Sequence, residues 1–393
     1  MTQPLSGITV VSLEQAVAAP YATRQLADLG ARVIKVERPG GGDFARRYDT
    51  VVRGQSSYFV WLNRSKESVT LDVKHPAARA VLTELVAGAD VFVHNLAPGA
   101  ATRLGVHAEP LLALNERLVH CTISGYGTDG PWAHRKAYDL LVQCETGVVS
   151  LTGTADEMVK VGISIADIAA GMYAYSGILT ALLQRGNTGR GTTVEVSLFE
   201  ALAEWMGSPA YYTDYGPHQP HRVGAQHATI APYGPFTSAD GDPVVLAVQN
   251  EREWVALCTK LLGDPAVTTD ERFATNPARV THREALNTLL QQRFTTLTTS
   301  EAVALLDKAG VANGRVNSVA EFLAHPVLAE RGRWQEIGSP GGPLRALRPP
   351  ADLGGVEPVM GPIPAPGEHT DTILRALGRT DADMAELRAA AAI

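Results

Sequence analysis

The 393-residue chain carries 34 Lys and Arg against 41 Asp and Glu, a formal charge of −7, with 45% hydrophobic and 19% charged residues. That composition excludes an intrinsically disordered chain and leaves no chain-wide basic field to attract nucleic acid. At roughly 150 residues per domain there is room for two or three domains, and Cys121, Cys144 and Cys258 are too few and too scattered for a disulfide framework or a spaced zinc site, which fits a reducing cytoplasm.

In chain order, residues 8–13 (ITVVSL) form a β-branched run that reads as a strand, 21–29 as a helix, and 33–37 as a second strand after the stop signal at Gly30. Further strands are predicted at 68–72, 91–94 and 119–124, with helices at 77–87 and 110–115 between them. This βαβ alternation predicts an α/β fold built on a doubly wound, mainly parallel, Rossmann-like sheet covered on both faces. Ligands bind such sheets at the carboxyl ends of the strands, where the loops 14–20, 38–43 and 95–99 fall. The turn after the first strand, LEQAVAAP, holds no glycine. A dinucleotide fold needs small turns there so that its backbone approaches a pyrophosphate, so neither NAD nor FAD is expected. Gly40, Gly41 and Gly42 lack the lysine of a phosphate-binding loop and read equally as a connector or a ligand-contacting turn.

The helical stretch 167–184 is apolar, but its uncharged part is short for a membrane span, so it reads as a core helix and no membrane partner is expected. A strand follows at 193–198. From 211 to 231 the chain is rich in Pro, Gly, His and Tyr without a period, and reads as a linker from a large domain, 1–210, into a smaller α+β domain at 232–325. That domain opens with a hairpin turn at 239–241 and continues through helices near 251–262, 283–294 and 300–309. Residues 326–393 read as a return connection, Pro- and Gly-rich at 338–366, with terminal helices near 371–377 and 381–391 that complete the large domain.

Asp167 lies in VGISIADIAAGMYA, a carboxylate among apolar and small residues at a helix start. Burial raises a carboxyl pKa, whereas a helix N-terminus favours the anion. Both an N-cap and a functional carboxylate satisfy the pattern. The eleven histidines form no HExxH or other tight metal pair and no GxSxG elbow is present, so no metal is expected and serine-hydrolase chemistry has no support. Arg38, Lys74, Arg103 and Lys136 fall at strand ends or in the loops after them. Cations there can receive phosphates or carboxylates, and scattered surface charge gives the same pattern.

Eight ordered stretches carry a resemblance: QAVAAPYATRQLADLGARVIKVERPGGGD, NRSKESVTLDVK, HNLAPGAATRLG, SGYGTDGP, KAYDLLVQCETGVVSLTG, GISIADIAAG, ALLQRGNTGRGTTVEVSLFEAL and GEHTDTILRALG. With them the chain resembles, over almost its whole length, the class III CoA-transferase family, which includes formyl-CoA transferase. The resemblance implies transfer of CoA from an acyl-CoA to a small free carboxylic acid. Asp167 would be the catalytic aspartate, passing through an aspartyl anhydride and an aspartyl-CoA thioester without ATP or a metal. It further implies coenzyme A binding at Gln15, Ala16, Arg38, Leu71, Asp72, Val73, Lys74, Asn95, Leu96, Ala97, Arg103, Lys136, Ala137 and Tyr138, and an interlocked homodimer. Arg222 and His227 are candidates for a second substrate carboxylate, which suits succinyl-CoA or another dicarboxylyl-CoA as donor.

Two features depart from the family pattern. The glycine run of the formyl-CoA members is replaced by HATIAPYGPF and AVQNER, and Tyr138 stands where the related α-methylacyl-CoA racemases place a histidine. Racemisation and catalytically silent acyl-CoA binding are the competing readings.

Overall fold

The structure, a computed structural model, describes residues 2–393. The chain forms two compact units: the first holds the residues up to Gly147, Val161–Gly207 and Ala329–Ile393, and the second holds Val148–Lys160 and Ser208–Leu328.

In the first unit, β1 (Thr9–Leu13), β2 (Arg32–Glu37), β3 (Lys66–Thr70), β4 (Val91–His94), β5 (Val119–Ser124) and β6 (Thr192–Ser197) pair in the order 3-2-1-4-5-6. Every pairing is parallel. The order is that of a doubly wound sheet, and its switch point lies between β1 and β4. α1 (Ala18–Asp28), α2 (Ser57–Leu62), α3 (Pro76–Ala87), α4 (Ala100–Leu104) and α5 (Ala108–Leu114) fall between the first five strands. Val11, Ile34, Val69 and Phe92 meet Val81, Leu82, Leu111, Leu374 and Met384 in one buried core, so the C-terminal helices Thr370–Ala376 and Asp381–Ala389 complete the layer begun by α3 and α5.

α1 begins three residues earlier than its periodicity suggests. Pro20 sits in its first turn, where the missing N–H has no intrahelical acceptor to lose. After α6 (Asp139–Glu145) and the short α7 (Val148–Leu151), α8 (Ile165–Thr188) runs 24 residues with only one stripe buried, formed by Ala166, Ala169, Ala170, Gly171, Ala174, Ile178 and Ala181. It is long and apolar enough to cross a bilayer by length and composition. The small stripe lets α1 approach closely: a Cβ on Gly171 would lie 2.7 Å from the Ala18 carbonyl oxygen. α9 (Leu198–Trp205) also packs against α8.

In the second unit, β7 (Tyr233–Thr237), β8 (Pro243–Ala247) and β9 (Ala312–Arg315) form an antiparallel sheet. Its hairpin turn holds Gly241 at φ +91, as the sequence suggested for 239–241. Phe236, Trp254, Leu257, Leu286, Leu290, Phe294 and Leu306 form a separate core. The boundary differs from the sequence expectation at two points. Residues 148–160, placed in the large domain by chain continuity, belong with the second unit, where Arg222 donates to the carbonyls of Ser150, Thr154 and Ala155 and the Gly224 N–H to that of Gly153. The expected linker 211–231 opens inside a helix, α10 (Gly207–Tyr215), which buries no residue and so has no apolar stripe to announce it.

Candidate active site

A cleft of about 480 Å³ opens at the carboxyl ends of β1, β2 and β4, flanking the switch point. Leu13, Val36, Leu71, Val73, Leu96 and Leu104 give it apolar walls. Arg38, Lys74, Arg79 and Arg103 line it as well, and among the described residues none of the four has an acidic partner. The acids at its border are already neutralised: Glu14 meets Lys66 at 2.7 Å and Lys35 at 3.3 Å, Asp43 meets Lys35 at 2.8 Å, and Glu37 meets Arg46 at 2.6 Å. Burial acts to raise the Glu14 carboxyl, but Lys66 and Lys35 outweigh it and hold the group below the ordinary range. The cleft thus presents cations to a ligand, and its combination of free guanidiniums, an ammonium and apolar walls fits the phosphates and apolar parts of a CoA ester.

The first loop is held in register by Asn95, which accepts the Gln15 N–H at 2.9 Å and donates to the Gln15 carbonyl at 2.8 Å. Asp43 accepts the Ala16 N–H at 3.1 Å. Two residues on, the Ala18 N–H faces the Asp167 carboxylate. One short loop therefore joins the cation-lined cleft to this aspartate.

Asp167 occupies the first turn of α8 and is half-buried, three positions after Ser164, whose side chain makes no capping bond. It is not the N-cap, which removes the structural alternative left open by its sequence. Burial pushes its carboxyl up to about 7, the Asp139 carboxylate adds to the rise, and the Ala18 amide opposes both. Asp139 itself is fixed: its Oδ1 accepts the Ala166 N–H at 2.8 Å and its Oδ2 accepts from Gln143 Nε2 at 2.7 Å, while Gln143 Oε1 accepts the Val161 N–H at 2.8 Å. Tyr48 completes the surroundings, with its phenol pushed up to about 12 by burial and by the nearby carboxylates of Asp43 and Asp167. It packs edge-on against Tyr58 at 5.5 Å. A carboxyl poised near neutrality beside aromatic rings can act as a nucleophile or as an acid–base group.

Of the residues expected to meet coenzyme A, Gln15, Arg38, Leu71, Val73, Lys74, Leu96, Ala97 and Arg103 line this cleft. Ala16, Asp72 and Asn95 shape its loops, Asp72 by accepting the Lys74 N–H at 3.1 Å. Lys136, Ala137 and Tyr138 lie outside it, on the segment entering α6, where Ala137 packs so closely on Gly125 that a Cβ there would sit 2.4 Å away. Arg222 belongs to the second unit, and the carbonyls of 150, 154 and 155 occupy its guanidinium, so it is not the free cation its sequence context suggested. His227 stacks on Tyr233 at 5.3 Å and its Nδ1 accepts the Thr229 N–H. Among the described residues no three His, Cys, Asp or Glu side chains gather as metal ligands.

Sequence reasoning missed Arg79, Asp139, Asp43 and Tyr48. Arg79 had a usable signal, a cation in the second turn of the helix that starts just after the Leu71–Lys74 loop. Asp139 stood beside Tyr138 in a motif already singled out.

The comparisons agree with this geometry. The model of the family described as CoA-transferase family III matches residues 5–370. The chain is 32% identical over 383 residues to a Homo sapiens protein named succinyl-CoA:glutarate CoA-transferase, covering 96% of this chain and 87% of that one. It is 35% identical over 347 residues to the acetyl-CoA:oxalate CoA-transferase of Acetobacter aceti, covering 87% and 89%. The crystal structure of a CAIB/BAIF family protein from Brucella suis superposes with a TM-score of 0.84 at 35% identity, covering 96% of this chain and all of that one. With a doubly wound sheet, a cation-lined cleft at its switch point and a matching family model over nearly the whole chain, this protein belongs to the class III CoA-transferases.

Proposed function

We propose that this protein transfers CoA from succinyl-CoA, or another dicarboxylyl-CoA, to a free carboxylic acid, with Asp167 as the covalent carrier. The observation that carries the reading is the single loop that borders the cation-lined cleft at Gln15 and meets Asp167 at Ala18. The cleft would hold the phosphates of the ester, and the ionised Asp167 would attack its thioester carbonyl, giving a mixed anhydride and CoA thiolate. The thiolate would then attack the aspartyl carbonyl, releasing the donor acid and leaving an aspartyl-CoA thioester. The acceptor carboxylate would attack that thioester to form a second anhydride and free the thiolate again. Thiolate attack on the acceptor's acyl carbonyl would yield the new acyl-CoA and restore Asp167. Each step exchanges one acyl bond for another, so the thioester energy is kept and no other energy source enters.

Support for a dicarboxylyl donor comes from relatives named for succinyl-CoA and glutarate. A homodimer is supported by the apolar side chains that the first unit leaves exposed, among them Leu140, Leu141, Ile163 and Leu183. The three unpaired cysteines suit a reducing, cytoplasmic setting.

The test mixes the protein with succinyl-CoA and a panel of free mono- and dicarboxylates and follows new acyl-CoA species by mass spectrometry, with Asp167→Ala in parallel. New thioesters that vanish in the variant support transfer. Deuterium uptake at the α-carbon of a 2-methylacyl-CoA in heavy water, with no acceptor acid and no new thioester, would support racemisation instead.

A further inference from the structure

Ala16 holds φ +62, a left-handed conformation that a side chain rarely adopts and that persists only where the surroundings impose it. Asp43 imposes it. Its Oδ1 accepts the N–H groups of Ala16 and Ala45, at 3.1 and 2.9 Å, and its Oδ2 accepts from Lys35 Nζ at 2.8 Å, while its own N–H donates to Glu37 at 2.9 Å. Lys35 has no exposed side-chain surface and also reaches Glu14, whose other contacts are Lys66 at 2.7 Å and the Thr23 hydroxyl at 2.5 Å. Two carboxylates and two ammoniums are thus buried beneath one short loop. A buried ion cluster is weak evidence for stability, because apolar side chains of similar volume fill such a space as well. What it supplies is a fixed acceptor at a fixed place.

The loop has a geometric consequence at its far end. The left-handed turn at Ala16 delivers the chain to Ala18, whose N–H faces Asp167 and whose carbonyl lies so close to α8 that only glycine fits at 171, one turn beyond Asp167. The first turn of α1 is therefore set against the first turn of α8, and Asp43 is the side chain that holds the Ala16 N–H at the entry to that turn. We propose that Asp43, held by Lys35, is a positioning residue for Asp167: by keeping Ala16 left-handed it aims the Ala18 N–H at the Asp167 carboxylate. The proposal rests on Asp167 being the reacting group, and its structural part is testable without turnover. Asp139 from α6 and Tyr48 are the other titratable side chains facing Asp167, and the variants below leave both unchanged.

Asp43→Ala, Asp43→Asn and the double variant Asp43→Ala/Ala16→Gly provide the test. Asp43→Ala is expected to lower kcat for CoA exchange by about tenfold or more, with KM for succinyl-CoA changed by less than about threefold, because the cleft cations are untouched. Asp43→Asn retains an acceptor for the Ala16 N–H and falls between. Ala16→Gly in the Asp43→Ala background recovers most of kcat, since glycine adopts the same turn without help.

The turnover-free readout is the titration of the Asp167 carboxyl by 13C NMR of the intact protein, assigned by its loss in Asp167→Asn. Its midpoint should rise by about half a pH unit or more in Asp43→Ala as the Ala18 N–H is lost, and return in the double variant. Where Asp43→Ala does not accumulate as folded protein, Asp43→Asn with and without Ala16→Gly carries the same comparison. An unmoved midpoint, or a loss of kcat that Ala16→Gly does not repair, would overturn the proposal. A midpoint that moves and returns in a protein that transfers no CoA would uphold the positioning role while refuting the transferase reading.

Discussion

The carboxyl group proposed to carry CoA is also a burden on the fold, and the burden has a pH dependence. Asp167 rises from an ordinary 3.8 to about 7, chiefly through burial. An acid whose pKa is raised by folding binds its proton more tightly in the native state, so the native state loses stability as pH climbs through 3.8 and bears the full penalty above 7. At about 1.36 kcal/mol per unit, a shift of this size is worth about 4 kcal/mol. The carboxylate keeps some solvent contact, so we take about 2 kcal/mol as the working figure. Asp167→Asn removes the charge with little change in volume. It should therefore abolish CoA transfer and at the same time raise the unfolding free energy by about 2 kcal/mol at pH 8, with a smaller gain at pH 5. Urea unfolding of both proteins at the two pH values, without ligand, reads the effect. A variant no more stable than the parent at pH 8, or a gain equal at both pH values, would show that Asp167 is not a desolvated charge.

Three further outcomes follow from the same geometry. Asp139→Asn removes the like charge beside Asp167, so the acidic limb of the kcat–pH profile should move to lower pH by about one unit; because the new amide faces Gln143 Nε2, it should also cost about 1–3 kcal/mol of stability, and a limb that stays in place would exclude coupling between the two acids. Arg79→Ala should weaken CoA binding about tenfold, or about 1.4 kcal/mol, and flatten its salt dependence in calorimetric titrations, whereas unchanged affinity would place the phosphates elsewhere. Gly171→Ala drives a methyl group to 2.7 Å from the Ala18 carbonyl; it should destabilise the protein by about 1–3 kcal/mol and lower kcat, and a fully active, equally stable variant would show that α1 and α8 are not tightly coupled.

The sheet was legible in the sequence because β1, β2, β4 and β5 are β-branched runs bounded by clear stop signals, and the loops between them led directly to the cleft. The elements that escaped were those without a stripe: α10 buries nothing, and residues 148–160 join the second unit through Arg222 and backbone carbonyls, which leave no pattern in a hydrophobicity profile. At the site, the motifs carried Asp167 and most of the residues that line the cleft, but the pairing among the charges that brace them was not legible. Lys35 sits between Ile34 and Val36 in β2, and only the fold brings it to Glu14 and Asp43. Arg222 illustrates the converse. A cation in a polar loop suggests a ligand, yet its guanidinium is filled by carbonyls that only the fold brings to it.

In the proposed reaction CoA rides on Asp167. Incubation with succinyl-CoA and no acceptor, followed by rapid quenching and peptide mass spectrometry, tests it most directly. The expected result is a CoA thioester on the peptide that contains Asp167, converted to a hydroxamate at that residue by hydroxylamine and absent from Asp167→Asn. Exchange activity with no enzyme-bound CoA, or with the adduct on another residue, would contradict it.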